Sequence, residues 1–245
     1  MLAGAHVGIS TLHRSIRKFA RPRGINRALV ALPLISVFVF VCCLSGCSSH
    51  KKTALNPHVV AEKVRNEQGY YSSRWLDDYG NYLCERLHAA LPEPRTCRIS
   101  FVRGSTPFAV SPGAGEILIS RSMIAHLANE AELAFVLAHE LAHQRLEHFD
   151  DPSERTEIIP EHEEEADQLA LGIVATAGYD PRAGVALLSR LEWSHNQLNA
   201  AASHPTLQQR LQAASQEVRD SGWRPPGTVQ RRDFIALKRA LRLNS

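Results

Sequence analysis

His139, Glu140 and His143 stand in the order HExxH, inside a segment whose apolar spacing predicts a helix. On a helix, residues four apart share a face, so both imidazoles can address one ion. Zinc accepts neutral imidazole nitrogen readily, and two such ligands make half of a tetrahedral shell. Glu140, between them, is placed to act as general base on a water that the ion activates. In a chain with 12 histidines and 25 acidic residues the pattern also arises by chance, so the surrounding residues have to decide.

A catalytic zinc site needs a third protein ligand and an open fourth position. The acidic run Glu161-His162-Glu163-Glu164-Glu165-Ala166-Asp167 offers one. Glu163 and Asp167 fall four apart on one predicted helix face. That spacing lets Glu163 ligate while Asp167 accepts a hydrogen bond from a ligand imidazole. Taken alone, the run is better read as a solvated helix start favoured by the helix dipole. Placed after HExxH, it reads as the rest of a metal site. His148 falls five residues after His143 and off the ligand face of the helix, which makes it a surface or second-layer histidine.

The elements that must position these groups follow from periodicity and punctuation. Residues 57 to 91 carry two helical patterns broken near Gly69, the second spaced by Trp75, Leu76, Tyr79, Leu83 and Leu87. Arg98 to Val102 predicts a strand, and the Pro- and Gly-punctuated stretch from Pro107 to Ser120 predicts a hairpin or a bulged edge strand. Ser122 to about Phe149 is helical with a break at Asn129, its apolar stripe formed by Leu133, Val136, Leu137 and Leu141. Asp180-Pro181 opens a helix through Trp193, with Val185, Leu187, Leu188 and Leu191 as core, and Thr206 to Val218 forms another. A basic helix from Arg231 to Leu243 follows the break at Ser221 to Gly227. It can pack on the domain, touch anionic lipid or bind a partner.

The 245 residues suffice for one sizeable domain. Their formal charge of +3 is misleading, because Arg14, Arg17, Lys18, Arg21, Arg23 and Arg27 all precede the first acid. Without residues 1–46 the balance is 22 basic against 25 acidic side chains, which excludes a general nucleic-acid-binding surface. The basic start, the apolar run Ala28 to Leu44 and the exit Leu44-Ser45-Gly46-Cys47 resemble a lipoprotein signal with cleavage before Cys47. Cys47 would then carry several acyl chains and hold the product firmly to a bacterial envelope membrane. An uncleaved spanning helix is the weaker alternative, since Pro33 interrupts the run. Cys84 and Cys97 would meet an oxidising compartment, where they either close a short disulfide or remain two buried thiols.

The pairing of His139-Glu140-x-x-His143 with Glu163-x-x-x-Asp167 resembles the CAAX prenyl protease family of zinc metallopeptidases, which includes HtpX, BepA and LoiP. Asn129-Glu130-Ala131-Glu132-Leu133-Ala134, Ala177-Gly178-Tyr179-Asp180-Pro181 and Ser203-His204-Pro205, with Arg210 beyond, are similar in register. The likeness covers roughly residues 57 to 220 and is nearest to the short periplasmic lipoproteins of that family. It implies an α+β, mostly α, zincin-like (gluzincin) domain with a small sheet or hairpin, and one Zn2+ on His139, His143 and Glu163. It also implies a role for His204 near the metal, in the open position at rest or beside the reacting carbonyl. Asp167 would orient a ligand, and Arg210 would pair with an acid near the site or lie on the surface.

The expected layout is a signal peptide at 1–46, a tether at 47–55, the peptidase domain at 56–221 and a tail at 222–245. Ser48, where an inner-membrane retention signal shows Asp, favours the outer membrane facing the periplasm. The expected activity is endoproteolysis of misfolded or stalled envelope proteins. The rival is a chaperone-like or scaffolding lipoprotein at the outer-membrane assembly machinery.

Overall fold

The structure, a computed structural model, describes residues 56–91, 96–148, 160–198, 205–224, 226–229 and 231–243. Its elements are α1 (Pro57–Gln68), α2 (Arg74–His88), β1 (Arg98–Val102), β2 (Ala109–Gly113), β3 (Glu116–Ser120), α3 (Arg121–His126), α4 (Glu130–Arg145), α5 (Pro160–Thr176), α6 (Arg182–Leu198), α7 (Pro205–Asp220) and α8 (Arg232–Leu243). The fold is α+β and mostly helical, with one three-stranded sheet. Short polar residues start the helices. Side-chain oxygens of Asn56, Ser73, Ser120 and Asn129 accept the backbone N–H of His58, Leu76, Met123 and Glu132, satisfying donors that have no partner within the helix.

The sheet runs in the order β1-β3-β2, with β1 parallel and β2 antiparallel to β3. Both readings of residues 107–120 hold: β2 and β3 form a hairpin, and their register shifts between Val110 and Gly113. The turn needs Gly115, whose φ is 80° and where an added Cβ would lie 1.8 Å from the Thr96 carbonyl oxygen. The outer side of β1 is taken, since Tyr71 N–H donates to Phe101 O and Arg103 N–H to Gly69 O, both at 2.8 Å. Strand β2 therefore forms the remaining edge.

Helix α4 departs from the expected stripe. Residues Glu130 to Ala138 are all buried, as are Glu140, Leu141 and Ala142. A helix buried on nearly every face belongs in the centre of a fold, and here β2, α5, α6 and α2 pack about it. It also ends at Arg145 rather than near Phe149. Glu147 turns back with φ 58°, so His148 is not a continuation of the helix.

Three buried polar contacts hold the start of α4. Glu130 is fully buried and accepts hydrogen bonds from the hydroxyls of Tyr79 and Tyr179, each at 2.9 Å. Ala131 N–H donates to Val229 O at 3.0 Å. Arg86 lies 4.2 Å over the Tyr179 ring and donates to Ala177 O. Among the roles left open for the C-terminal helix, packing is the one the structure displays. Phe234, Leu237 and Leu241 of α8 sit in the same core as α4, and Thr228 bridges to Tyr179. Leu191, expected in the core, is partly exposed because α6 turns that face outward, whereas Leu187 and Leu188 are buried. Cys84 and Cys97 are joined as a disulfide, with Cα atoms 5.6 Å apart. In the chain-entropy model a loop of this length stabilises by about 3 kcal/mol.

Candidate metal centre

Helix α4 presents His139 and His143 on one face, one turn apart, towards α5, the helix it packs against most closely. From α5, Glu163 reaches back between them. Its Oε2 lies 3.4 Å from His139 Nε2 and its Oε1 3.3 Å from His143 Nε2, while the two Nε2 atoms are 3.0 Å apart. Among the described residues these three form the one His/Cys/Asp/Glu cluster whose ligand atoms converge closely enough for a metal ion.

One turn further along α5, Asp167 is buried under the site and its Oδ1 lies 2.9 Å from His139 Nδ1. Arg210, from α7, donates through Nε to Asp167 Oδ2 at 2.7 Å and through Nη2 to Oδ1 at 3.0 Å, and its Nη1 lies 2.9 Å from Glu163 Oε2. Arg210 is thus an internal ion-pair partner of both carboxylates, and the surface alternative does not hold. Glu140 is buried beside His139, and its charge acts on Arg210.

The electrostatics follow from this packing. Burial opposes charge on Glu163, yet hydrogen bonds from His139 and His143 and the Arg210 charge outweigh it and hold its carboxyl well below the usual range. Asp167 is lowered in the same way, burial being overcome by His139 and Arg210. Burial pushes His139 down, but Asp167 and Glu163 reverse that and raise it to about 9. The cluster thus holds two ionised carboxylates against His139 and Arg210, with Glu163 reaching His143 as well.

Of the two places expected for His148, the second layer is the one the structure shows, reached by a turn rather than by the helix: Glu147 swings it back, so that its Nδ1 lies 3.3 Å from His143 Nδ1 and its Nε2 3.2 Å from Glu165 Oε2. His162 stacks on it at 4.0 Å. Gln144 was missed. Its Oε1 accepts Gly115 N–H at 3.0 Å, and its Nε2 donates to Ser111 Oγ and to Glu116 O, which fastens α4 to the β2–β3 hairpin. A polar residue immediately after the second histidine, on a helix otherwise buried, was the available signal. His204 precedes the first residue of α7 and lies outside the described residues, as do Cys47 and the segment 1–46.

Comparison with curated proteins finds no match for this chain. The model of one protein family, Peptidase U49, matches residues 47–222, a span that contains His139, Glu140, His143, Glu163, Asp167, His204 and Arg210. That span is well over half of the 245 residues, and the chain belongs to the peptidase U49 family.

Proposed function

We propose that this peptidase is a zinc endopeptidase with His139, His143 and Glu163 as protein ligands. The observation that carries the reading is the convergence of three ligand side chains. Ligands about 2.0–2.1 Å from a tetrahedral ion lie about 3.3 Å from one another; here the two Nε2 atoms are 3.0 Å apart, and the Glu163 carboxylate approaches both, with Oε2 3.4 Å from His139 and Oε1 3.3 Å from His143. Two imidazoles and a carboxylate suit zinc, and three protein ligands leave the fourth position free for chemistry. Two histidines on one helix and a glutamate on the next is the gluzincin arrangement, in line with the resemblance to the CAAX prenyl protease family.

Zinc bound there would act as a Lewis acid that lowers the pKa of a water and polarises a carbonyl. Glu140 takes the proton from the attacking water and delivers it to the leaving amine. Asp167 holds His139 by its Nδ1 proton, and Arg210 keeps both carboxylates ionised and in place. The outer edge of β2, tied to α4 by Gln144, offers main-chain groups to an extended peptide. Such a substrate is an unfolded segment rather than a native surface. His204 is assigned, from the resemblance, to the vicinity of the metal.

The location follows from residues 1–47. With Cys47 lipidated, the enzyme would face the periplasm from the outer membrane and cut misfolded or stalled envelope proteins. The test is cleavage of a denatured protein by the full chain in detergent with one equivalent of zinc. Glu140→Gln should retain zinc and lose about 10²- to 10⁴-fold in turnover. Undiminished turnover in that variant, or stoichiometric zinc in His139→Ala, would sink the assignment.

A further inference from the structure

We propose that His148 is a positioning residue for the His143 ligand, an imidazole that accepts the His143 Nδ1 proton and is itself oriented by Glu165. The proposal rests on the zinc reading above. His143 turns Nε2 towards His139 and Glu163, which leaves Nδ1 on the opposite side of the ring. A neutral imidazole that ligates through Nε2 carries its proton on Nδ1, and that proton needs an acceptor. The atom in reach is His148 Nδ1, 3.3 Å away.

The arrangement is internally consistent, because one tautomer of His148 meets both demands on it. To accept at Nδ1, His148 must be protonated on Nε2. The partner of Nε2 is Glu165 Oε2 at 3.2 Å, an acceptor. Protons therefore point one way along the chain, from His143 to His148 to Glu165. The ring is held in that plane by His162, parallel to within 6° and 4.0 Å away. The backbone adopts a costly conformation to bring it there, with φ 58° at the non-glycine residue Glu147.

The two histidine ligands are thus oriented by different chemistry. His139 donates to the Asp167 carboxylate at 2.9 Å, which makes its ring the more electron-rich donor. His143 donates to a neutral ring. The consequence is a site in which the two ligands need separate supports, one from α5 and one from the turn after α4.

The experiment is chelator competition for zinc by the metal-stripped full chain in detergent, comparing wild type, His148→Leu, His148→Asn and His143→Ala. Leu fills similar volume with no acceptor, whereas the Asn side-chain oxygen falls near the Nδ1 position. His148→Leu should bind zinc about 10- to 100-fold more weakly. His148→Asn should recover most of that loss, and its cobalt-substituted absorption spectrum should match the wild type while that of His148→Leu should not. Metal-free thermal unfolding, run on all four, reports any purely structural effect, which would weaken Leu and Asn alike. Wild-type affinity in His148→Leu, or equal weakening in Leu and Asn, overturns the proposal. Failure of the wild type to take up stoichiometric zinc, or its retention by His143→Ala, overturns the zinc reading itself and the proposal with it.

Discussion

Arg210 grips Asp167 in a two-point contact, Nε to Oδ2 at 2.7 Å and Nη2 to Oδ1 at 3.0 Å, beneath the His139 ring. Its third nitrogen lies 2.9 Å from Glu163, so a single guanidinium serves both carboxylates of α5. This fork geometry is what arginine offers and lysine does not.

Removing that cation leaves two adjacent carboxylates, largely shielded from water, with His139 as their shared remaining partner. Arg210→Met should cost about 3–5 kcal/mol in the metal-free protein, the range for breaking one partner of a buried pair. Urea unfolding measures it. Arg210→Lys should recover only part of the loss. The double variant with Asp167→Asn should be less unstable than the sum of the two single changes, because the charge left behind is then one rather than two. Additive losses would mean that the two side chains act independently.

A second prediction concerns pH and lies away from the metal site. Burial raises the Glu130 pKa, and hydrogen bonds from Tyr179 and Tyr79 with the charges of Arg231 and Arg86 only partly offset it. A carboxyl raised in the folded state contributes stability that is present below its unfolded value and lost as pH rises through the folded one. Acidification from neutral pH towards the ordinary carboxylate range should therefore improve the wild type relative to Glu130→Gln, read as the difference in urea midpoints. Parallel midpoints across that range would show that Glu130 carries no such penalty.

How far the sequence revealed these relationships depended on whether a periodic signal carried them. His139, His143, Glu163 and Asp167 were legible because each pair lies one helical turn apart, a spacing that fixes a shared face before any tertiary contact is known. Arg210 was half legible: its place after the His-Pro pair was visible, but its two-carboxylate grip needs α7 docked on α5. The Tyr79–Glu130–Tyr179 contact joins three segments distant in the chain and leaves no local trace. For His148 the second-layer alternative held, but its contact with His143 was hidden from a helical wheel, because the backbone takes a left-handed turn at Glu147. The stripe on α4 was too narrow a reading, since four leucines and valines mark one face while the alanines between them bury the others. The amphipathic pattern of α8 was plain, but a pattern does not name the surface that covers it.

That surface gives a third prediction. The family match ends at residue 222, yet Phe234, Leu237 and Leu241 belong to the same buried core as α4, and α8 packs on α3. Phe234 is 1% exposed, so Phe234→Ala should destabilise by about 3–5 kcal/mol. A chain stopped after Ser221 should lose cooperative unfolding altogether, because it forfeits those side chains and the Val229 carbonyl that holds the first turn of α4. A cooperative transition in the truncated chain, followed by circular dichroism, would show that α8 is dispensable to the fold.

Gln144 offers a way to separate the proposed contribution of the edge strand from that of the proposed metal. Its side chain spends both ends on the hairpin, the oxygen on Gly115 N–H and the amide nitrogen on Ser111 Oγ and Glu116 O, without touching Glu163 or Asp167. It thereby sets the height of β2 against His143, the residue beside it. Gln144→Leu keeps the bulk and removes all three bonds, so the hairpin is free to shift relative to the ligands. A peptide lying along β2 would then be held less well before reaction, while the groups that move protons stay where they were. KM for a denatured substrate should rise by about tenfold, the loss of roughly 1.4 kcal/mol of binding, with kcat changed far less. Zinc affinity should match the wild type. A fall in kcat at constant KM would place Gln144 with the reacting groups, and a fall in zinc affinity would make it a support for His143 instead.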